Sequence, residues 1–500
     1  MFSFSKILAP VNKRQVSATN KKLVHHLIKD NLMSIKNVDI LLKPHLHKSV
    51  LLIEDTKSII MTEKKMLNDI GFSNVVLAYD GQEAIEKLES DHDIGLIISD
   101  WHMPNINGYE LLQWLRKDSR FNDIPFIMAT SQAEKKQIHM SNDAGGNNYL
   151  IKPFGPLELL QAVHKVFDID KGNEAKSQKT PRMSDSGKVR LSVAHIPITD
   201  HIILGMLQHL IVTKKLKPKH FELDIHSLML WNPVQNRLDE GSIDAAFILA
   251  PIVMDLFSHG TPVKIVLLAH KNGSICIRNK AFGDIDLDQE TLKKFFQNKI
   301  FYLPHTLSVH RILADIYLKE LGLNPGYAGQ EGVNVQYEVI PPIMMPDFQS
   351  KDRNVGGFMV AEPIGAKSIY SNVGEELILS GQLWNDHPCC VVAIRDAFIQ
   401  KYPDAVYEFV NMLILAGQYV ESHKKEAAQI AVSFLDPQKQ LGYTNEILEK
   451  VFLDTLGIIT HDLIPIHEDF DRIQKFMYDK LQMGNLIDVE KLIDMRFIKK

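Results

Sequence analysis

Five polar residues in the first third of the chain each stand at the end of a short apolar run. Asp100 ends the segment GLIISD, and Glu54 and Asp55 follow VLLI. Thr130 follows FIMA, and Lys152 follows YLI. A carboxylate that attacks a phosphoryl group needs a divalent cation to offset charge repulsion, and a lysine and a hydroxyl to bind phosphoryl oxygens. These residue types therefore predict phosphoryl transfer to Asp100.

The five residues can act together only if their apolar runs are neighbouring strands. A doubly wound parallel sheet gathers polar groups at the carboxyl ends of its strands. From residue 48 onward, strand and helix patterns alternate five times, as such a sheet covered on both faces requires. We therefore expect a five-stranded doubly wound α/β domain, with Glu54, Asp55 and Asp100 supplying the oxygen ligands that Mg2+ prefers.

These motifs resemble the receiver domain of two-component response regulators, in particular the chemotaxis receivers. The spacing agrees, because Thr130 follows Asp100 by 30 residues and Tyr149 follows Thr130 by 19. The resemblance covers residues 48–169. It implies that Asp100 is the phospho-acceptor, that a sensor histidine kinase is the donor, and that Thr130 and Lys152 bind the phosphoryl group. It also implies that Tyr149 is an aromatic switch that turns inward when Thr130 moves.

Composition limits the function classes of the whole chain. The net charge of −5 gives no electrostatic case for a nucleic-acid partner. No run of 18 apolar residues appears, which predicts no membrane span, and the first residues lack a basic leader followed by an apolar stretch. Three cysteines, with one adjacent pair, do not form a disulfide framework. We expect a cytoplasmic protein.

Changes of pattern divide the chain into four segments. Residues 1–47 are a polar, basic extension to which we assign no role, and residues 48–169 are the predicted receiver domain. Residues 170–188 contain almost nothing to bury, which predicts a flexible linker. A new α/β pattern begins at residue 189 with VRLSV and continues to residue 500. A region of this length exceeds a comfortable single core, so we expect two lobes.

This second region resembles the solute-binding proteins of ABC importers for nitrate, bicarbonate and sulfonates, a group that includes the thiamine-pyrimidine synthase family. The resemblance rests on the order of four motifs, LDEGSIDAAF, LAHKNGS, AEP and LWNDHP, which begin at residues 238, 268, 361 and 383. It implies a two-lobed fold of the periplasmic-binding-protein type II, with a small anion held in a cleft that closes by hinge motion. Ile364 stands where the family usually has tryptophan, so nitrate specificity does not carry over.

Five residues of the second region are candidate ligand contacts. Thr199 precedes one predicted helix, and Thr306 and Ser308 precede another, where free N–H groups favour an anion. All three are equally suited to helix capping. Glu362 either lines the cleft or ends a buried strand. His270, on the crossing between lobes, either binds ligand or has a structural role.

Three functions remain open. The first is a response regulator whose output domain senses a small anion or docks a downstream protein. The second is an enzyme of the thiamine-pyrimidine synthase type, which would use lysine-held pyridoxal phosphate and a cysteine-rich motif. Cys389-Cys390 is shorter than that motif, so we expect no separate enzymatic activity. The third is a binding fold that has lost its ligand and serves only for interaction. A DNA-binding output is not expected, because the α/β pattern leaves no room for a recognition-helix domain.

Overall fold

The computed structural model forms two compact units, Met1–Ser177 and Gln178–Lys500, and the boundary falls inside the predicted linker. Most of the predicted extension and most of that linker lie outside the described residues. Within the part of the chain that is described, no helix is both long enough and apolar enough to cross a bilayer. The described residues are 42, 45–90, 93–130, 148–152, 154, 159–160, 162–163, 166–167, 182–184, 187–327, 330–437, 439 and 441–499.

The first unit contains the predicted five-stranded parallel sheet, in the order β2-β1-β3-β4-β5. The strand β1 lies between β2 and the central strand β3, as the doubly wound arrangement requires. The elements are β1 (Ser49–Ile53), α1 (Lys57–Ile70), β2 (Val75–Ala78), α2 (Gly81–Ser90), β3 (Ile94–Asp100), α3 (Gly108–Lys117), β4 (Phe126–Thr130) and β5 (Asn148–Ile151).

Alternate residues of the central strands pack into two separate cores. In β1, Val50 and Leu52 belong to one hydrophobic cluster, and Leu51 and Ile53 belong to the other. Successive side chains of a strand point to opposite faces, so a strand buried on both faces must be apolar throughout. This requirement explains why β1, β3 and β4 appear in the sequence as continuous apolar runs that end abruptly at a polar residue.

The second unit contains two sheets, one in each predicted lobe. The first has the order β7-β6-β8-β16-β9, and the second has the order β12-β13-β11-β14-β10-β15. Its strands are β6 (Val189–His195), β7 (Phe221–Ser227), β8 (Ala245–Leu249), β9 (Val263–Leu268), β10 (Ser274–Asn279), β11 (Lys299–Leu303), β12 (Pro325–Gly326), β13 (Val335–Val339), β14 (Val355–Ala361), β15 (Gly374–Leu379) and β16 (Cys390–Arg395).

Helices cover both sheets of the second unit, and one hydrophobic core runs through both lobes. The helices are α4 (Ile202–Val212), α5 (Trp231–Glu240), α6 (Ala250–Ser258), α7 (Gln289–Phe296), α8 (Val309–Glu320), α9 (Met345–Lys351), α10 (Ile364–Tyr370), α11 (Ser380–Leu383), α12 (Asp396–Lys401), α13 (Pro403–Ser422), α14 (Lys424–Leu435), α15 (Asn445–Leu453), α16 (His467–Leu481) and α17 (Val489–Leu492).

Two segments join the lobes and lie side by side. Residues 269–273 lead from β9 to β10, and residues 384–389 lead from α11 back to β16. The backbone N–H of Ala269 donates to the Cys390 carbonyl at 2.9 Å, and that of Asn272 donates to the His387 carbonyl at 3.0 Å. The crossovers therefore form a backbone-bonded pair, which is the hinge expected of a two-lobed binding fold.

The ordered packing of the second unit begins earlier than residue 189. The guanidinium of Arg182 donates two hydrogen bonds to the Asp244 carboxylate, at 2.7 and 2.8 Å. Met183 pairs with Val189 in an isolated antiparallel bridge. Residues 182–184 lie in the predicted linker, yet they pack on the second unit because a bidentate guanidinium–carboxylate pair fixes them there.

Candidate phosphoryl-acceptor site and interlobe cleft

The parallel register of the first unit brings the polar strand ends to one edge of the sheet. Asp100, the last residue of β3, pairs in register with Ala129, which precedes Thr130 at the end of β4. Glu54 and Asp55 follow β1 directly. One carboxylate oxygen from each of Glu54, Asp55 and Asp100 lies within 4.8 Å of the others. The expected acidic cluster is thus present in the geometry of the strands.

Lys152 extends from the end of β5 into this acidic cluster. Its Nζ lies 3.1 Å from Asp100 Oδ1 and contacts Glu54 Oε2. Glu63, a buried acid on α1, approaches the same nitrogen at 3.9 Å. The lysine is therefore held against the acceptor carboxylate by ionic contacts with three acids, one of which the sequence analysis did not identify.

Burial and mutual repulsion shift the titration of these groups. Burial raises the pKa of Asp100 to about 6, with Lys152 opposing the shift and Glu54 adding to it. Burial raises the pKa of Glu63 to about 8. Burial and then the charge of Glu54 raise the pKa of Asp55. Burial acts to lower the pKa of Lys152, but its three acidic neighbours raise it above its ordinary value.

The charge and donor atoms of the cluster fit Mg2+. With Glu63 protonated near pH 7, three carboxylates face one ammonium group, which leaves a formal charge of −2. All three remaining acids offer oxygen, the donor that Mg2+ prefers, and the ion retains several of its waters in such sites. Asp55 is exposed and so is open to those waters. Glu54, Asp55 and Asp100 would therefore hold the ion beside the acceptor oxygen.

The loop that follows Asp100 is fixed by its backbone and by a helix cap. The N–H of Trp101 donates to the Ala129 carbonyl at 2.8 Å, and the N–H of Gly108 donates to the Trp101 carbonyl at 3.0 Å. Asn107 and Glu110 form a capping box at the start of α3. A Cβ at position 108 would collide with the Asp100 carbonyl, so only glycine lets α3 begin this close to the acceptor.

The two residues assigned to the switch lie on neighbouring strands. Thr130 is buried at the end of β4, and its carbonyl accepts the Lys152 N–H at 2.7 Å. Tyr149, on β5, is half-buried and packs against the core cluster beneath α3. The backbone of Thr130 is therefore bonded directly to that of Lys152, which follows β5.

In the second unit, the candidates Thr199 and Glu362 are bonded to each other across the lobes. The N–H and hydroxyl of Thr199 donate to the Glu362 carbonyl, at 2.9 and 2.7 Å. The Glu362 carboxylate accepts the Ala366 N–H at 2.8 Å, and burial raises its pKa to about 7. Thr199 thus serves here as a contact between lobes, and Glu362 as an N-terminal acceptor for α10.

The candidates at the start of α8 have different local partners. The Ser308 hydroxyl accepts the Arg311 N–H at 3.1 Å and donates to the His305 carbonyl, so Ser308 is the N-cap of this helix. Thr306 is half-buried in the preceding turn. His305 Nε2 lies 3.1 Å from Asn232 Oδ1 on α5 of the other lobe. Of the two roles predicted for Ser308, the structure therefore shows helix capping.

His270 lies in the first crossover, where it pairs with a buried aspartate. Its Nε2 is 2.9 Å from Asp200 Oδ2, and both side chains are fully buried. Burial acts to lower the pKa of His270, but the carboxylate of Asp200 raises it to about 10. Cys389 and Cys390 complete a cluster around the same atoms. The sequence pattern does not connect these residues, because they are distant in the chain and no spacing rule relates them.

A small cavity lies beside Glu362 in the second unit. A cavity of about 20 Å³ is lined by Gly273, Ser274, Glu362, Glu376, Leu379, Lys450, Val451, Asp454, Gly457 and Ile458. A buried water requires roughly 10–15 Å³ by the same measure, so this cavity holds little more than one water molecule. This cavity therefore has no room for a ligand much larger than water.

Comparison with known proteins agrees with both halves of this description. A response regulator receiver domain model matches residues 50–164, and an NMT1-like family model matches residues 184–435, just over half of the chain. Chemotaxis protein CheY1 of Helicobacter pylori is 38% identical over 117 residues, which span 23% of this chain and 94% of that protein. The chemotaxis protein CheY homolog of Campylobacter jejuni is 32% identical over 126 residues, or 25% and 97% of the two chains.

Solved structures resemble the second unit in fold. The ligand-binding component of an ABC-type import system from Staphylococcus aureus, determined with zinc bound, has a TM-score of 0.53 at 20% identity and covers 62% of this chain and 97% of its own. The periplasmic nitrate-binding protein NrtA of Synechocystis PCC 6803 has a TM-score of 0.52 at 18% identity, over 62% and 86% of the two chains. The chain belongs to the NMT1-like family, and it carries at residues 50–164 a receiver domain of the response regulator family.

Proposed function

We propose that this protein is a two-component response regulator that a sensor histidine kinase phosphorylates on Asp100. The observation that carries the proposal is the position of Lys152 Nζ, 3.1 Å from Asp100 Oδ1, inside a cluster of three carboxylates at the strand ends. That arrangement has the nucleophile, the oxygen ligands for Mg2+ and the phosphoryl-binding cation in one place. A structural ion pair alone would not need three acids around one lysine.

The proposed reaction transfers a phosphoryl group from a phosphohistidine to the Asp100 carboxylate. A carboxylate oxygen forms a bond to phosphorus, and the phosphorus–nitrogen bond to the kinase histidine breaks. Mg2+ held by Glu54, Asp55 and Asp100 would supply the charge stabilisation that such transfer requires. Lys152 binds a phosphoryl oxygen, and the Thr130 hydroxyl moves toward another, which draws Tyr149 inward.

The NMT1-like unit is the proposed output, and it binds rather than catalyses. A small anion in the interlobe cleft, or a downstream protein, would be its partner. Phosphoryl transfer from an ATP-dependent kinase takes place inside the cell, so we place the protein in the cytoplasm. Glu362 and Thr199 lie where the lobes meet, and ligand entry would require their mutual contact to open.

Docking of a protein, without a solute, is the second candidate, and the contacts between the lobes favour it. Thr199 and His305 each bond to the opposite lobe, and these contacts hold the lobes together. Under this alternative, the outer surface of the lobes recognises the partner.

Labelling with acetyl phosphate tests the receiver assignment. The full-length protein with Mg2+ should gain one phosphoryl group by intact mass, and Asp100→Asn should gain none. The matched control is Asp118→Asn, which changes a carboxylate on the surface loop after α3 and should label like the wild type. Equal labelling of the wild type and Asp100→Asn would refute the proposal.

A thermal-shift screen of the full-length protein separates anion sensing from protein docking. Binding to the native state alone raises apparent stability in proportion to the logarithm of ligand concentration. Nitrate, nitrite, bicarbonate, sulfonates and pyrimidines are the ligands to screen. A hit that Glu362→Gln abolishes supports the sensing cleft, and no shift with any of them supports docking. Absorbance from bound pyridoxal phosphate in the purified protein would instead support an enzyme.

A further inference from the structure

Four side chains with metal-ligating atoms meet in the interior of the second unit. Asp200, His270, Cys389 and Cys390 each have 0% of their surface exposed. One ligand atom from each residue lies within 4.8 Å of the other three. This group lies outside the acidic cluster of the receiver, and nothing in the proposed phosphoryl transfer uses it.

Three separate segments of the fold supply these side chains. Asp200 lies in the short turn of 3-10 helix between β6 and α4, and His270 lies in the first crossover. Cys389 ends the second crossover, and Cys390 begins β16. The backbone bond from Ala269 to Cys390 fixes the two crossovers against each other. Three of the four groups therefore lie on or directly beside the paired crossovers, and Asp200 reaches them from the first lobe.

The internal contacts leave part of this cluster unexplained as a simple ion pair. His270 and Asp200 satisfy one another through a single contact, yet Asp200 Oδ1 is buried with no hydrogen-bond donor among the described residues. The Cys390 thiol lies 3.6 Å from Asp200 Oδ2. A buried carboxylate that is bonded through only one of its oxygens is incompletely satisfied, and a cation bound to the carboxylate would offset that cost.

A catalytic cysteine–histidine–aspartate relay does not fit the geometry. Such a relay needs one imidazole nitrogen toward the carboxylate and the other toward the thiol. Here Nε2 of His270 faces Asp200 Oδ2 at 2.9 Å and also faces the Cys390 N–H at 3.3 Å. Nδ1 makes no hydrogen bond to any described residue. Both contacts involve Nε2 and no described group is bonded to Nδ1, so the relay is absent.

We propose that Asp200, His270, Cys389 and Cys390 form a closed zinc site. Two thiolates, one imidazole and one carboxylate are a donor set that Zn2+ accepts, whereas Mg2+ and Ca2+ take oxygen ligands alone. Zinc bond lengths imply ligand atoms about 3.3–3.8 Å apart in a tetrahedral site. Of the two separations that involve Asp200 Oδ2, the 3.6 Å to the Cys390 thiol lies in that range, and the 2.9 Å to His270 Nε2 lies below it. Four protein ligands leave no open position, so the site is structural.

The location gives the ion a mechanical role. Its ligands join both crossovers to the first helical turn of the first lobe, and none of them lines the small cavity beside Glu362. Zinc at this position links the hinge segments and leaves the cleft free. The ion would thus limit how far the lobes open.

Cobalt substitution of the full-length protein tests the site. The protein is purified with a non-thiol reductant, stripped of metal and titrated with Co2+. The wild type should bind one ion with a sulfur-to-cobalt charge-transfer band and the visible bands of tetrahedral cobalt. Oxygen ligands alone give no such charge-transfer band, so cobalt in the acidic cluster of the receiver does not imitate the result. Zinc should displace the cobalt and abolish the spectrum.

Cysteine variants supply the matched controls. Cys389→Ser and Cys390→Ser should each weaken the charge-transfer band, and His270→Gln should weaken binding. Cys276→Ser, a buried cysteine of β10 outside the cluster, should keep the full spectrum, as should Asp100→Asn. A wild type without the band overturns the proposal even if a variant fails to fold. An unchanged band and stoichiometry in folded Cys389→Ser and Cys390→Ser overturns it as well.

Discussion

The acidic cluster of the receiver and the cluster of Asp200, His270, Cys389 and Cys390 in the second unit occupy similar positions in their sheets. They differ in solvent exposure and in the type of ligand atom. Both use polar residues at or just beyond strand ends of α/β sheets. Asp100 and Lys152 keep 13% and 14% of their side-chain surface exposed, whereas Asp200 and His270 keep none. The first therefore allows a phosphodonor and water to enter. The second encloses whatever it binds.

The difference in donor atoms has a parallel consequence. Carboxylate oxygens bind a hard ion that keeps its waters and exchanges, which suits a reaction that must turn over. Thiolate and imidazole hold a borderline-soft ion in a dry site, which suits a permanent link. Burial and ligand type together distinguish the proposed reactive site of the receiver from the proposed structural site of the second unit.

Removal of an oxygen ligand should have the largest effect. Asp55→Ala is expected to slow Asp100 phosphorylation by acetyl phosphate at least about a hundredfold, because a metal ion supplies several kcal/mol and each 1.4 kcal/mol is tenfold. Initial labelling rates at several Mg2+ concentrations measure this effect. The thiolate–cobalt spectrum of the same variant should match the wild type. A labelling rate within a few-fold of the wild type would remove Asp55 from the metal site.

The same chemical change, aspartate to asparagine, should have opposite effects on the two clusters. In metal-free buffer at pH 8, Asp200→Asn should destabilise the second unit by about 3–5 kcal/mol, because it leaves buried His270 without its partner. Asp100→Asn should stabilise the first unit by about 2 kcal/mol. Its carboxyl pKa of about 6 lies above the ordinary 3.8, so the ionised form destabilises the fold above pH 6.

Tryptophan fluorescence during denaturation distinguishes the two units. Trp101 and Trp114 report on the first, and Trp231 and Trp384 report on the second. If Asp200→Asn and Asp100→Asn changed the free energy of unfolding of their units in the same direction, the proposed contrast between the two clusters would be wrong.

Glu362 should give the second unit a pH dependence of stability. Its pKa is about 7 in the folded protein and 4.5 ordinarily, so the folded state holds its proton more tightly. The resulting stabilisation is complete below pH 4.5 and is lost as pH rises through 7, by at most about 3 kcal/mol. Glu362→Gln should remove that slope, as urea unfolding at pH 5, 6, 7 and 8 would measure. Parallel pH profiles for variant and wild type would show that Glu362 is ionised throughout.

The sequence was sufficient for the receiver and only partly sufficient for the second unit. In the receiver, each functional residue ends a continuous apolar run, and parallel pairing must place those ends together. The sheet, the acidic cluster and the position of Lys152 followed from that rule. Glu63 did not, because it lies within an amphipathic helix, where a buried acid has the same appearance as an exposed one.

In the second unit, the chain leaves the first lobe and later returns to it, and the local sequence pattern does not indicate this path. The strand predicted to begin at residue 189 is β6, but β10 and β16 were not identified from the sequence. Both run antiparallel to their neighbours beside the crossovers. The cluster of Asp200, His270 and Cys390 depends on β16 re-entering the first sheet. Only the tertiary path therefore reveals it.

The smallest expected effect is that of removing the Thr130 hydroxyl. This change tests whether phosphorylation of Asp100 is transmitted to Tyr149. Thr130→Val should change the labelling rate by less than about tenfold, because one neutral hydrogen bond contributes about 1 kcal/mol. The response of Tyr149 to phosphorylation should disappear, since the buried hydroxyl at the end of β4 is the proposed link to β5. Fluorotyrosine NMR of the labelled protein measures that response, with Tyr149→Phe identifying the signal. If the Tyr149 signal still shifts in Thr130→Val, the phosphoryl group acts on β5 through Lys152 and not through the Thr130 hydroxyl. The backbone N–H of Lys152 donates to the carbonyl of residue 130, and this bond does not depend on the side chain at that position.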